Sequence, residues 1–376
     1  MARVVYRLKA AFDSYSKVSK QVAAHHRHPR AVVLGRMLIS RLLYDHGPNF
    51  FIFYDFETKG LRDWRDFLTK NEMLRMQASL NGKIGDEIAT DKLLFMEKCI
   101  SQGIPTPPVL GVIASGKRAP HGHALVLDNP GDLERLLLQY PEQRLIFKED
   151  RGTYGTNLLS IWIHNGMLCD HTGNPLSAQA IWSHCQRSDY NYLIQEHLAV
   201  HPQLQCIMPG LALGTIRLIT FRNGANEVKI VDALIKIPIL GNISDNFHQG
   251  NSGNLLGSVD VSSGAIKQVW GVRGGVPVLI PRHPDTDVLL PNRIIPFWQD
   301  IVLTVRKSAV AFSELVTAGW DVALAAKGIF ILEANSRYDI DGHQMVIMKG
   351  MRPQISESYK CAHRLMPKAS GVSDRV

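Results

Sequence analysis

The chain has 376 residues, 45% of them hydrophobic and 20% charged. That is enough apolar material for two or three packed lobes, and it excludes a disordered, collagen-like or disulfide-scaffolded chain. The net charge of +8 is uneven: nine Lys/Arg face two acids between Met1 and Pro48, so that stretch carries +7 and the rest only +1.

A basic segment of this kind suits an anionic membrane surface, an acidic partner or an ordinary solvated helix face. Beyond it there is no basic–aromatic interleaving, so nucleic acid is not an expected partner. Five scattered cysteines without a CxxC pair read as reduced core thiols. The most apolar stretch, 31–44, is cut by Arg36 and Arg41 and falls short of the ~20 residues that span a bilayer. No signal-peptide h-region follows the first methionine. A cytoplasmic location is expected, with peripheral membrane contact open.

Residues 1–48 read as mostly helical and stop at Gly47-Pro48. The aromatic run 50–56 has strand character or forms a buried linker. Residues 61–80 return to helical spacing, broken at Asn81-Gly82 and Gly85. Thr90 is expected to cap a helix over 91–100 that Gly103 ends. A strand over 109–114, a helix over 131–140, a strand over 144–148 and a hairpin about Asn165-Gly166 follow. Next come strands at 192–198, 215–221 and 227–237, a Gly/Asn/Ser-rich loop at 241–257 and a hairpin about Ser262-Ser263-Gly264. The last elements are a helix over 297–315 and strands at 321–324 and 329–334. The pattern is α+β: a basic helical region (1–87), a first lobe (88–190), a second, largely antiparallel lobe (191–360) and a tail (361–376).

The sharpest constellation is Gly319-Trp320-Asp321 with Ile331-Leu332-Glu333-Ala334-Asn335. Glu333 and Asn335 lie two apart on a strand and share a face, and a hairpin near Ala326-Lys327 sets Asp321 almost opposite Glu333. Three oxygen donors on one buried sheet face suit Mg²⁺, with Mn²⁺ as an alternative. Lys92 in the first turn of a helix calls for an anion. Lys148 ends a strand and runs into Glu149-Asp150-Arg151-Gly152-Thr153-Tyr154-Gly155-Thr156, a turn able to cradle phosphate.

Together these parts resemble the ATP-grasp family over roughly 88–350, and Thr215-x-Arg217 with Asp245-Asn246-Phe247 is most similar to its sugar-transfer-associated branch, often met in cell-envelope polysaccharide pathways. The resemblance implies two α+β lobes sandwiching ATP. Lys92 and Lys148 would bracket its phosphates, and Gly152, Thr153, Gly155 and Thr156 would form the covering loop. Gln195, Glu196 and Leu198 would meet adenine, with His201 or Gln203 at the ribose. Asp321, Glu333 and Asn335 would hold magnesium. Gly319 stands where some relatives place an arginine, so Arg217, Lys236 or Arg337 would face the reacting acyl group. Asn246, His248 and Asn251 are candidates for the acceptor pocket.

The implied activity is an ATP- and Mg²⁺-dependent ligase that activates a small-molecule carboxylate as an acyl phosphate and joins it to an amine or similar nucleophile. The alternatives are a phosphotransferase acting on a sugar-like hydroxyl, and a non-catalytic nucleotide-binding scaffold in an envelope assembly. The residues do not specify acid, nucleophile or oligomeric state.

Overall fold

The computed structural model describes residues 2–115, 119–120, 124–152, 157–224 and 227–364. The basic region forms α1 (Ala2–His26) and α2 (Arg30–Tyr44), then α3 (Phe50–Phe53), α4 (Leu61–Arg65) and α5 (Lys70–Thr90). The aromatic run is therefore a helical turn and linker, not a strand. Its rings are used in packing: Phe51, Tyr54 and Phe56 are buried, and Phe56 stacks on Trp64 at 5.6 Å.

Thr69 opens α5 with a capping box, accepting from Glu72 N while the Glu72 carboxylate accepts from Thr69 N. The break read at Asn81-Gly82 is a kink within one helix, made possible by Gly82 at φ 62°. Asn81 uses the kink to grip the core: its amide donates to Thr317 O (2.9 Å) and Ser336 O (3.1 Å) and accepts from Thr317 N (3.0 Å). Helix α6 (Lys92–Ser101) is capped by Asp91, which accepts from Leu93 N and Leu94 N. Thr90 stays inside α5, its hydroxyl bonded to Asp86 O.

The first lobe contains β1 (Val109–Ile113), β2 (Val126–Leu127), α7 (Pro130–Leu137), β3 (Arg144–Glu149), β4 (Leu159–His164), β5 (Met167–Cys169), β6 (Pro175–Leu176), α8 (Ala178–Cys185) and β7 (Tyr192–Glu196). Its sheet runs β2-β1-β7-β3-β4-β5-β6. Because β7 lies between β1 and β3 and pairs with both, the first lobe extends to 196 rather than stopping at 190. Leu133, Leu136, Ile181 and Cys185 of α7 and α8 pack on Leu145, Phe147 and Ile194 of the sheet.

The second lobe comprises β8 (Ile216–Arg222), β9 (Val228–Ile237), β10 (Leu255–Val259), β11 (Ile266–Arg273), β12 (Val276–Leu279), α9 (Trp298–Ala311), β13 (Thr317–Ala325), β14 (Gly328–Asn335), α10 (Asp341–Ile347) and α11 (Arg352–Arg364). The order β12-β11-β10-β9-β8-β13-β14 is antiparallel at every pairing. On one face α9 and α6 bury Ile301, Val305 and Phe95. On the other, Val18, Met37, Phe51 and Trp64 of the N-terminal region share a core with Leu234, Leu256 and Trp270 of the sheet. The N-terminal helices thus complete the second lobe's interior.

The β13–β14 hairpin carries a bulge. Ala325 pairs with Gly328 and Val322 with Ile331, but Asp321 pairs with Glu333, so Leu332 is an extra residue. The buried positions of β14 are accordingly Ile331 and Ala334, three apart where a regular strand would give two. Without the bulge Leu332 would oppose Asp321, and Glu333 would point to the opposite face.

Asn81→Ala would strand three buried backbone groups on β13 and after β14. It should cost about 1–3 kcal/mol or more in chemical denaturation, whereas a change within ~0.5 kcal/mol would show that α5 does not pin the hairpin.

Candidate active site

A cleft of about 1100 Å³ opens between the lobes, a size typical of ligand sites. Asp321, Glu333, Asn335, Lys92 and Lys148 all line it, so the five side chains singled out from sequence converge. Arg217, Lys236, Gly152, Asn246, His248 and Asn251 line it as well.

Its floor is a charged cluster. Asp321 faces Arg217 across the β8–β13 pairing and accepts from Arg217 Nε and Nη2 at 2.6 Å each, a bidentate pair. Lys236 Nζ adds a third contact at 2.9 Å. Burial opposes the charge on Asp321, but Arg217 and Lys236 outweigh it and hold its carboxyl well below the usual range. Asp245 extends the cluster, accepting from Thr215 N at 3.0 Å and from the Thr215 hydroxyl, with Lys236 Nζ at 3.7 Å. This explains why Thr215-x-Arg217 and Asp245 occur together: the threonine fixes the aspartate beside the lysine.

Glu333 is placed differently. Its side chain is 34% exposed to the cleft, 3.8 Å from Arg217, and its Oε1 accepts from Asn335 Nδ2 at 3.0 Å. Among the described residues, Glu333 Oε2 and Asn335 Oδ1 have no donor. Asp321, by contrast, has both oxygens engaged. The three predicted metal ligands therefore divide into two with open oxygens and one that anchors cations. No group of three or more His, Cys, Asp or Glu suited to a metal occurs among the described residues.

The cationic side comes from the first lobe. Lys92 opens α6, its backbone N bonded to Asp150 O (3.0 Å) and its Nζ donating to Gly152 O at 2.6 Å. A Cβ on Gly152 would meet the Glu149 side chain at 2.8 Å, so glycine lets the turn close against that carboxylate. Arg151, which also lines the cleft, pairs with the cap residue Asp91 at 2.7 Å. Lys148 has no hydrogen-bond or ion-pair partner among the described residues. Burial, helped by Lys92, draws its ammonium down to about 8 while Glu333 resists. Burial also pulls Lys92 below its ordinary value, against Glu333 and neighbouring acids. A lysine pair desolvated and mutually repelling is poised for an anion. Thr153, Gly155 and Thr156 lie outside the described residues.

Other expected residues are placed elsewhere. Gln195, Glu196, Leu198, His201 and Gln203 are not among the residues lining the cleft. Gln195 is buried and donates to Pro107 O at 2.9 Å. Glu196 pairs with Lys327, and Leu198 is buried. His201 accepts from Gln203 N, while the backbone at 199–201 bonds to the end of the β13–β14 hairpin. This segment joins the two sheets through its backbone and the Glu196–Lys327 pair. Arg337, by contrast, does line the cleft, where it pairs with Asp86 and not with Asp321.

The loop carrying Asn246, His248 and Asn251 is built, not slack. Asn254, fully buried, donates to Ser244 O and Asn246 O (2.9 Å each) and accepts from Ile239 N and Asn242 Nδ2. Gly250, at φ 87°, lies where any Cβ would strike Val272. Sequence reasoning missed Asn254, and nothing in a lone asparagine distinguishes it. It also missed the far wall, where Phe50, Phe53, Tyr54 and Phe247 line the cleft with His343, whose Nδ1 is held at 2.5 Å from Asp232.

Asp321→Asn would leave two buried cations short of their counter-ion and should lower unfolding free energy by about 3–5 kcal/mol. Retained stability in urea titration would mean that the cluster is not held by this carboxylate.

Among curated proteins, none matches the sequence significantly. Solved structures do resemble it: the D-cycloserine synthetase DcsG at 13% identity and TM-score 0.41, covering 75% of this chain and 73% of that one; the ATP-grasp ligase PsnB complexed with minimal precursor at 12% and 0.39, covering 78% and 68%; and a biotin carboxylase–ATP complex from Campylobacter jejuni at 11% and 0.42, covering 75% and 48%. At such identities the likeness concerns the fold alone. The sequence itself matches the family described as sugar-transfer associated ATP-grasp over residues 75–359. With most of the chain inside that match and an α+β pair of lobes enclosing the cleft, the protein belongs to the sugar-transfer associated ATP-grasp family.

Proposed function

We propose that the protein is an ATP-dependent ligase that joins a small-molecule carboxylate to an amine through an acyl phosphate. The observation that carries this is the opposition, across one cleft, of Lys92 and the unpartnered Lys148 to the open oxygens of Glu333 and Asn335. A carboxylate resists direct attack because its leaving group is oxide. Phosphorylation turns that oxygen into phosphate, which an amine displaces. Little covalent chemistry falls to the protein, whose contribution is position and charge.

Lys92 and Lys148 would take the phosphates of ATP. Arg217 and Lys236, fixed by Asp321, would meet the acid and the charge on the transferring phosphoryl group. Glu333 and Asn335 fit Mg²⁺, which commonly takes one or two carboxylates plus phosphate oxygens; when bound, the ion would neutralise phosphate charge. The acceptor would enter between the pinned loop at 244–251 and the aromatic wall of Phe50, Phe53 and Tyr54, where Asn246 and Asn251 offer amide contacts. No helix among the described residues is long and apolar enough to cross a membrane.

Glu333→Gln keeps the shape of the side chain and should unfold at the wild-type midpoint while ATP turnover falls by about 10²–10³. Near-normal turnover, followed as ADP release with pooled acids and amines, would remove the metal assignment. A new amide with free phosphate among the products supports the ligase, whereas a phosphorylated hydroxyl without free phosphate would identify a phosphotransferase.

The value of about 8 for Lys148 gives a second test. A bound phosphate favours the ammonium, so nucleotide affinity is greatest below this value and is lost as pH rises through 8 toward 9. Calorimetry at pH 8 in buffers of different ionisation enthalpy should show uptake of about half a proton per nucleotide. Lys148→Arg should abolish the uptake, and a pH-independent wild-type affinity would contradict the assignment.

A further inference from the structure

Helix α2 is apolar on both sides. Val33, Met37 and Ser40 face the core, as the sheet packing requires. The opposite side carries Val32, Leu38, Ile39, Leu42 and Leu43, all exposed, with Leu42 at 84%. At 100° per residue these five, with Ala31 and Gly35 between them, fill one unbroken arc that contains no charged residue. A water-facing helix would place its polar residues there. A continuous exposed apolar stripe on an otherwise well-packed chain marks a surface that is covered in use.

The charge around it says by what. Helix α1 lies against α2 and turns Val18 and Val22 to the same core, so the outer sides of both helices look away from the protein together. On α1 that outer side exposes Lys9, Lys17 and Lys20, and Arg27 and Arg30 stand exposed at the turn between the helices. None of these five cations has an acidic partner among the described residues. Two copies meeting through α2 would bring together two segments of charge +7 each, which like-charge repulsion opposes. An anionic lipid surface meets both requirements, taking the leucines into its interface and the cations at its headgroups. The 15 residues of α2 reach ~22 Å at 1.5 Å per residue, less than the ~30 Å hydrocarbon core, so the helix lies on a bilayer and does not cross it.

We propose that the outer face of α2, flanked by the cations of α1, docks this protein on anionic membranes. Three residues after α2 ends, the chain becomes part of the cleft wall at Gly47, so a docked helix holds the cleft beside the bilayer. The proposal does not depend on the ligase reading, since it uses no residue of the Asp321 cluster.

The test is flotation of the full-length chain with vesicles of equimolar phosphatidylglycerol and phosphatidylcholine, and with phosphatidylcholine alone. Binding to the anionic vesicles should exceed binding to the neutral ones by more than tenfold and weaken with added salt, given about fivefold per engaged cation. Leu38→Glu with Leu42→Glu should lower it more than tenfold while the urea midpoint and ATP turnover stay at wild-type values. Wild-type protein that stays off anionic vesicles overturns the proposal, as does binding indifferent to the double substitution. A dimer seen by light scattering that the double substitution splits, without vesicle binding, would assign the face to a second copy instead.

Discussion

Asp321 is a carboxylate buried on a sheet face at the cleft floor, where a lone charge would be costly. It remains ionised because Arg217 clasps it from the neighbouring strand and Lys236 from the next one over. In return it keeps two cations, whose side chains are long and otherwise free to turn, in one orientation at the cleft floor. The rest of the site is arranged about this fixed point. Thr215 and Asp245 brace Lys236 from the loop side, and Glu333 lies just beyond Arg217, close enough to feel it and far enough to keep an oxygen for a ligand. The first lobe answers with two lysines that have each other's charge to contend with.

What sets this geometry is local. The single extra residue in β14 brings Glu333 opposite Asp321, and the kink at Gly82 lets Asn81 fasten the same hairpin from behind. Both are departures from regular secondary structure, and both sit within a few residues of the acidic face. Here irregularity serves to aim side chains.

The two lobes, most of their hairpins and the meeting of Lys92, Lys148, Asp321, Glu333 and Asn335 were legible in the sequence. Strand alternation, Asn-Gly turns and the Glu-x-Asn spacing are short-range signals that tertiary packing did not override. The bulge was not legible, although its outcome, Asp321 opposite Glu333, was. Long-range consequences were harder. Nothing in Tyr192–Glu196 says that it inserts between β1 and β3, which moves the lobe boundary. Gln195 was placed at adenine by the likeness of its strand to the family's hinge; in the structure its buried amide donates to Pro107 O. Arg337 likewise found a nearby acid at the surface. The aromatic run at 50–56 was ambiguous because rings pack equally well from a strand or a turn. Asn254 owes its place to bonds within its own loop that follow no fixed spacing, and the Asp232–His343 pair to a contact distant in sequence; a single chain read alone discloses neither.

The shared interior of the N-terminal helices and the second sheet sets the smallest stretch that can fold. The family match begins at residue 75, yet Leu234, Leu256 and Trp270 are sheltered by side chains that precede it. The matched region and the folding unit are therefore not coextensive here. A chain trimmed to residues 75–359 would bare one side of the very sheet that bears the Asp321 cluster.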